Sequence, residues 1–248
     1  MTEREHHPRR LASLGVHVYT ASGVVFALLA AIEIGSDTPD PRAVFFWLAV
    51  AVLVDATDGP LARRVNVKKG APEIDGRKID DIVDYLTFTF LPLLLVAKMR
   101  WVPDPALLFV APPLIASLFG FANLGAKDEE RGFFLGFPSY WNIVALYLGI
   151  LAHEFGVWPN GIILIVLTVL TVTPIGFIYP NLAPRRWKIL IIAGAFVWLL
   201  MALLLLRNYP VAPRWLLLTS LIYPLFYVVV SLIEYRRVRR PLAQTNSS

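Results

Sequence analysis

Eight long apolar segments constrain most strongly what this chain can fold into. Several approach the ~20 residues that a helix needs to cross a ~30 Å hydrocarbon layer. Hydrophobic residues make up 57% of the 248 residues, against about 45–50% in an ordinary soluble domain. The segments are residues 14–34, 43–57, 79–97, 105–123, 139–153, 160–180, 188–206 and 215–234. They predict an all-α integral membrane protein with about eight transmembrane helices.

The distribution of Lys and Arg tests this arrangement, because positive residues concentrate in cytoplasmic loops. With eight spans, most of the 23 basic residues fall at the two ends and in alternate loops. The exceptions are Arg42, Lys98, Arg100, Arg207 and Arg214. Both termini are therefore predicted to be cytoplasmic. A single polytopic membrane domain is expected over residues 1–248, with polar end segments at 1–12 and 241–248.

Charge and composition limit the binding partners and the kinds of metal site that this chain can have. A net charge of +5 would suggest nucleic acid in a soluble protein, but these basic residues flank apolar segments. Membrane lipids with anionic head groups are therefore the predicted partners, and nucleic acid is not. The chain has no cysteine, which excludes disulfides and thiolate metal sites. Its four histidines are scattered, so a histidine-rich metal site is not predicted.

The most informative stretch joins the second and third predicted spans. Asp55 and Asp58 lie three residues apart, and Asp80 and Asp84 lie four apart, so each pair shares one helix face. The two helices can bring all four carboxylates together if they pack antiparallel. Four unpaired carboxylates would repel one another, and oxygen-rich sites suit hard divalent cations. A metal pair is the simplest prediction.

Small and basic residues accompany these acids. Gly59 and Ala62 leave room for a ligand to approach the backbone, and Arg63 offers a fork for phosphate oxygens. Each residue also has a structural reading, because an aspartate can cap a helix and a basic residue can serve only orientation. Together they favour function, since acids at membrane depth are expensive and usually functional.

This pattern resembles the signature of the CDP-alcohol phosphotransferase family of membrane enzymes. The matching residues are Asp55-x2-Asp58-Gly59-x2-Ala62-Arg63 followed by Gly76-x3-Asp80-x3-Asp84. The spacer between Arg63 and Gly76 is longer than in most members, and in this it is similar to the branch that acts on choline. The segments 85–92 and 132–142 also resemble that branch.

The resemblance implies a CDP-alcohol phosphotransferase-type helical bundle in a bacterial inner membrane, with its active site at the cytoplasmic face. It implies the reaction of CDP-diacylglycerol with choline to give phosphatidylcholine and CMP, by direct in-line displacement. Asp55, Asp58 and Asp80 would hold two divalent cations, Mn²⁺ or Mg²⁺, with Asp84 as metal ligand, general base or both. The residues implied to shape the CDP site are Asp58, Gly59, Ala62, Arg63 and Gly76. A homodimer is compatible with this family.

Choline carries a quaternary ammonium group, which binds best to aromatic faces. The candidates are Tyr85, beside Asp84, and Tyr140 with Trp141 near the start of the fifth span. Asn142 could orient the hydroxyl or a phosphate oxygen. Tyr and Trp also favour membrane interfaces whatever the function, so an interfacial role for Tyr140 and Trp141 stays open.

Three alternatives remain at this point. The same chemistry could use another alcohol, for example serine. A cation transporter could use the same carboxylates, although transporters usually place their sites near the midplane between repeated halves. A membrane scaffold could pair the acids with Lys68, Lys69 and nearby arginines, and exposed pairs of that kind contribute only ~0–1 kcal/mol.

Overall fold

The computed structural model describes residues 3–123, 125, 127–128 and 131–245, and these are mostly helical. The helices are α1 (Glu3–Ala21), α2 (Gly23–Gly35), α3 (Pro41–Val65), α4 (Val67–Gly70), α5 (Gly76–Asp84), α6 (Leu91–Lys98), α7 (Leu107–Ala122), α8 (Trp141–Phe155), α9 (Trp158–Val172), α10 (Arg185–Arg207) and α11 (Arg214–Thr245). A π-helix, Tyr85–Phe90, joins α5 to α6, and a 3₁₀ turn, Pro180–Leu182, precedes α10.

Four segments are long and apolar enough to cross a membrane by length and composition. They are Arg9–Gly35, Pro41–Val65, Arg185–Arg207 and Arg214–Val238. Helices α7, α8 and α9 are shorter apolar helices. Large apolar side chains such as Ile189 and Phe196 are exposed on α10, which suits contact with lipid and would be costly in water. The expected class, a helical membrane protein, is confirmed at this level.

Several predicted segments have different internal structure. Residues 14–34 form α1 and α2, interrupted at Ser22, whose hydroxyl donates to the Tyr19 carbonyl oxygen at 2.6 Å. Residues 79–97 form α5, the π-helix and α6. The prediction of helix up to residue 180 was wrong, because α9 ends at Val172. Pro174 disfavours helical geometry at the residue before it.

The two polar end segments are partly helical. Helix α1 begins at Glu3, inside the predicted segment 1–12, and α11 continues to Thr245, inside the predicted tail 241–248. The last part of that tail, residues 246–248, lies outside the described residues. Where the structure describes them, the two polar end segments therefore continue α1 and α11.

A small antiparallel sheet was not anticipated in an all-α fold. Its strands are β1 (Lys127–Asp128), β2 (Phe133–Leu135) and β3 (Gly176–Ile178), in that order. Phe133 pairs with Ile178. Helix α11 anchors β3, because the Tyr227 hydroxyl donates to the Ile178 carbonyl oxygen at 2.6 Å and the Ile178 N–H donates to Ser231 Oγ at 3.2 Å. The sheet thus provides hydrogen-bond partners for backbone groups that lie outside the helices.

The chain divides into two compact units. The first comprises Met1–Met99 with Trp141–Leu146, and the second comprises Arg100–Tyr140 with Tyr147–Ser248. In the first, α2 packs on α3, and α1 packs against α3, α4 and α5; in the second, α7 packs on α9 and α10 on α11. All the motif residues from Asp55 to Asp84 lie in the first unit. The single membrane domain stays a prediction.

Candidate active site

Helix α3 carries the first half of the motif. It begins after Asp40, whose side chain accepts a hydrogen bond from the Arg42 N–H at 2.9 Å, with Pro41 at the first helical position. It ends at Asn66, which adopts a left-handed conformation with φ of 58°. The helix therefore runs well past residue 57, where the second span was predicted to end, and the motif up to Arg63 lies on one continuous element.

Helix α5 carries the second half. Asp75 caps its N-terminus by accepting hydrogen bonds from the backbone N–H groups of Arg77 at 3.2 Å and Lys78 at 3.4 Å. A capping carboxylate satisfies donors that a helix start leaves unpaired. The helix begins at Gly76, three residues before the predicted start of the third span, and presents Asp80 and Asp84 one turn apart.

Three carboxylates converge between these helices. One carboxylate oxygen from each of Asp55, Asp80 and Asp84 lies within 4.8 Å of the others, and all three residues are partly buried. Oxygens from two helices at this separation can share one hard cation, because Mg²⁺ binds oxygen ligands at about 2.0–2.1 Å. The donor set therefore fits Mg²⁺ or Mn²⁺. We call these residues the three-carboxylate group.

Asp58 lies outside the three-carboxylate group as the described residues place it. Its side chain is 8% exposed, so it is one of the buried charged groups of the protein. The structure brings together three of the four acids that the sequence singled out, and the participation of Asp58 as a ligand stays a prediction.

The residues predicted to shape the CDP site lie on the same helices. Gly59, Ala62 and Arg63 follow Asp58 on α3. A Cβ on Gly59 would lie 3.4 Å from Nη1 of Arg63, so that guanidinium lies close over the glycine, and Arg63 itself is exposed. A Cβ on Gly76 would instead meet the ring of His17 on α1, at 2.7 Å from Cε1.

The predicted choline residues are spread along the chain. Tyr85 is partly buried and opens the π-helix directly after Asp84. Trp141 is 0% exposed and, with Asn142, begins α8 within the first unit. The Asn142 side-chain oxygen accepts a hydrogen bond from the Ile143 N–H at 2.8 Å. Tyr140 belongs to the second unit. Their assembly into one pocket stays a prediction.

Sequence reasoning missed two features next to the acids. The π-helix after Asp84 has no clear sequence signal, although such segments often occur at functional sites. Helix α1 also reaches the motif, since the Tyr19 hydroxyl and Thr57 Oγ1 form a hydrogen bond of 2.7 Å. The available signal was the helical spacing of Ser13, His17 and Thr20, polar residues that share one face of α1 and are all buried.

The chain resembles known proteins over most of its length. No protein-family model matches the chain. Its curated relatives include the phosphatidylcholine synthase of Pseudomonas aeruginosa, 40% identical over 199 residues, which are 79% of this chain and 80% of that protein. The phosphatidylcholine synthase of Legionella pneumophila is 33% identical over 223 residues, 87% of this chain and 86% of that protein. That of Rhizobium meliloti is 30% identical over 227 residues, 90% of each.

Each match covers most of this chain and most of the relative, and it extends far beyond the motif of α3 and α5. With this identity and coverage, the chain belongs to the phosphatidylcholine synthase family.

Proposed function

We propose that this protein transfers the phosphatidyl group of CDP-diacylglycerol to choline, giving phosphatidylcholine and CMP. The observation that carries the proposal is the three-carboxylate group, held within 4.8 Å between two helices, in a chain whose relatives are named phosphatidylcholine synthases. The acceptor follows from those names, and the chemistry follows from the carboxylates.

The three-carboxylate group, with Asp58 beside it on α3, would hold two divalent cations, Mn²⁺ or Mg²⁺. Bound there, the cations would neutralise charge on the transferred phosphoryl group and on the departing CMP. The protein's own contribution is to fix the carboxylates on two helices, because a site on rigid elements needs little reorganisation during the reaction. Gly59, Ala62, Arg63 and Gly76 would shape the side that receives CDP.

Asp84 would act as general base. The choline hydroxyl oxygen attacks the phosphorus that bears diacylglycerol, the bond from this phosphorus to the oxygen of CMP breaks, and the hydroxyl proton passes to the Asp84 carboxylate. A positioned base of this kind contributes typically about 10²–10⁴-fold in rate. Direct in-line transfer needs no covalent enzyme intermediate, and the chain has no cysteine to form one.

On the acceptor side, Tyr85, Tyr140 and Trp141 would surround the quaternary ammonium, with Asn142 orienting the hydroxyl. Tyr85 has the strongest support, because it directly follows the proposed base on the π-helix. Aromatic faces attract a quaternary ammonium by about 0.5–2 kcal/mol each.

In the membrane, we propose eight spans with both termini in the cytoplasm and the site at the cytoplasmic face of the bacterial inner membrane. The four long apolar segments, the three shorter apolar helices and the α5–α6 segment together support this number. A single membrane domain and a homodimer belong to the same proposal. Because the natural chain has no cysteine, single cysteines placed in each loop can be labelled from one side, and alternating accessibility is expected.

An acceptor panel tests the proposed reaction. Purified protein in lipid nanodiscs receives CDP-diacylglycerol, Mn²⁺ and either choline or serine, and the release of CMP is measured. Choline-dependent release with formation of phosphatidylcholine is expected, and EDTA should stop it until Mn²⁺ or Mg²⁺ is restored. Turnover with serine and none with choline would reject the proposed acceptor while leaving the phosphatidyl transfer intact.

A further inference from the structure

Helix α1 contacts both parts of the motif. The Tyr19 hydroxyl and Thr57 Oγ1 hydrogen-bond at 2.7 Å, so α1 is tied to α3 beside Asp58. Arg10 Nη2 donates to Glu73 Oε1 at 2.9 Å, on the segment that leads into α5. One helix therefore touches the element that carries Asp55 and the connection that sets the start of α5.

Two buried polar side chains of α1 lie against that connection. Ser13 is 0% exposed and His17 is 6% exposed, and they are one helical turn apart. A Cβ on Gly70 would clash with Ser13 Oγ, and a Cβ on Gly76 would lie 2.7 Å from His17 Cε1 and 3.0 Å from its Nδ1. Contacts under 3.0 Å essentially never occur for real Cβ atoms. Helix α1 therefore leaves no room for a Cβ at either glycine.

The His17 ring is costly where it lies. Its Nε2 is buried without a hydrogen-bond partner among the residues that the structure describes, and so is Ser13 Oγ. A buried polar atom left without a partner costs about 1–3 kcal/mol, which an apolar side chain of similar size would avoid. Buried polar groups that lack a hydrogen-bond partner are departures from the usual rules of folding, and such departures concentrate at functional sites. Stability alone therefore does not account for a histidine here.

We propose that His17 is a positioning residue for the three-carboxylate group. Its ring rests on Gly76, the first residue of α5, and so sets where that helix begins. Asp80 and Asp84 follow Gly76 by one and two turns on the same helix, and they move with it because a short helix shifts as a unit. The His17 ring takes the place of a Cβ at position 76, and this contact, not contact with CDP, is the reason for the glycine. Gly76 would then border the CDP side only through its place at the start of α5.

A pair of complementary substitutions tests this assignment. Gly76→Ala places a Cβ against the ring and should displace α5, and a displacement of about 1 Å can lower kcat about 100-fold. His17→Ala removes the ring atoms. Apart from the backbone of α5 and the two chain neighbours of residue 76, no other heavy atom of the described residues lies within 4 Å of the Cβ at position 76. The double variant should therefore regain most of the loss and match His17→Ala, the non-additivity expected of residues in contact.

Two further glycines supply matched controls. Gly70→Ala should not be rescued by Ser13→Gly, because the backbone carbonyl oxygen of Arg9 would remain 2.9 Å from the new Cβ. Gly15→Ala, also on α1, meets no atom within 4 Å among the described residues and should behave as wild type. Comparison of the three glycine variants shows whether the loss in Gly76→Ala comes from a contact that removal of a side chain relieves. The alternative is that any added methyl group on or against α1 lowers activity.

Each variant is measured for choline-dependent CMP release, for Mn²⁺ binding from the loss of the free-ion EPR signal, and for thermal unfolding. The activity readout rests on the proposed function, whereas Mn²⁺ binding does not, so the failure of one is distinguishable from the failure of the other. Mn²⁺ binding should weaken in Gly76→Ala and recover in the double variant.

A double variant no better than Gly76→Ala in activity and Mn²⁺ binding would overturn the proposal and assign the glycine to direct ligand contact. Wild-type kcat and Mn²⁺ affinity in His17→Ala would overturn it as well. If Gly76→Ala fails to fold, the double variant is compared with His17→Ala alone. It should then fold and bind Mn²⁺ like that variant, and failure to fold would contradict the proposal.

Discussion

Replacing Asp84 with Asn should stabilise the metal-free protein while abolishing its activity. The oxygens of Asp55, Asp80 and Asp84 lie within 4.8 Å of one another. Two unit charges at that distance repel by about 3 kcal/mol at an effective dielectric constant of ~20, and by about 1 kcal/mol in water. The substitution removes two such pairs and keeps the side-chain shape. With all three carboxylates ionised, the loss of this repulsion by itself would raise the free energy of unfolding by roughly 2–6 kcal/mol.

Thermal unfolding followed by tryptophan fluorescence checks this, first in EDTA and then in Mn²⁺. In EDTA the variant should unfold several degrees above wild type. Mn²⁺ should raise the Tm of wild type, because a ligand that binds the folded state stabilises it, and should raise that of Asp84→Asn much less. Asp81→Asn is the matched control, since Asp81 lies on α5 outside the three-carboxylate group. It makes the same charge change and should keep both activity and the Mn²⁺ response.

Unfolding of Asp84→Asn at or below the wild-type temperature in EDTA would show that the three carboxylates do not destabilise the metal-free protein. An unchanged Mn²⁺ response in that variant would show that the group does not bind the cation. Near-normal CMP release by Asp84→Asn would remove the role of this residue as base or essential ligand.

Two further predictions concern stability. Asp40→Ala removes the N-cap of α3 and should cost about 1 kcal/mol at neutral pH. The hydrogen bond from the Arg42 side chain holds the pKa of Asp40 below its usual range. The part of the contribution that depends on the ionised carboxylate should therefore disappear as the pH falls through the lowered pKa, and a difference unchanged in acid would contradict this cause. Asn160→Leu removes donors to the carbonyl oxygens of Trp101 at 2.6 Å and Leu148 at 2.8 Å. Each carbonyl left unpaired should cost about 1–3 kcal/mol in thermal unfolding, and an unchanged Tm would show that neither bond contributes.

The parts of the site that the sequence predicts well are those set by local periodicity. Asp80 and Asp84 are one turn apart on α5, as their spacing requires. Asp55 and Asp58 are three apart, which leaves their directions about 60° apart around the axis of a helix with 3.6 residues per turn. A pair with that divergence need not point into one site, and the structure places Asp55, but not Asp58, in the three-carboxylate group.

Features that depend on tertiary contacts were beyond the sequence. Residues 176–178 read as the end of an apolar helix, but they pair with 133–135 and with side chains of α11. Gly76 was interpreted through the nucleotide, because spacing alone cannot show that the His17 ring, 59 residues earlier, lies against it. Helix α1 was predicted only as a span. The role of its buried polar face becomes apparent only when the residues that it contacts are known.

The binding of divalent cations by the three-carboxylate group can be tested by the anomalous diffraction of Mn²⁺ in crystals of the protein grown with CDP. We expect manganese peaks within bonding distance of carboxylate oxygens of Asp55, Asp80 and Asp84, with the CDP phosphates near the same peaks. Manganese located away from these three side chains, or absent from them when both Mn²⁺ and CDP are abundant, would contradict this expectation.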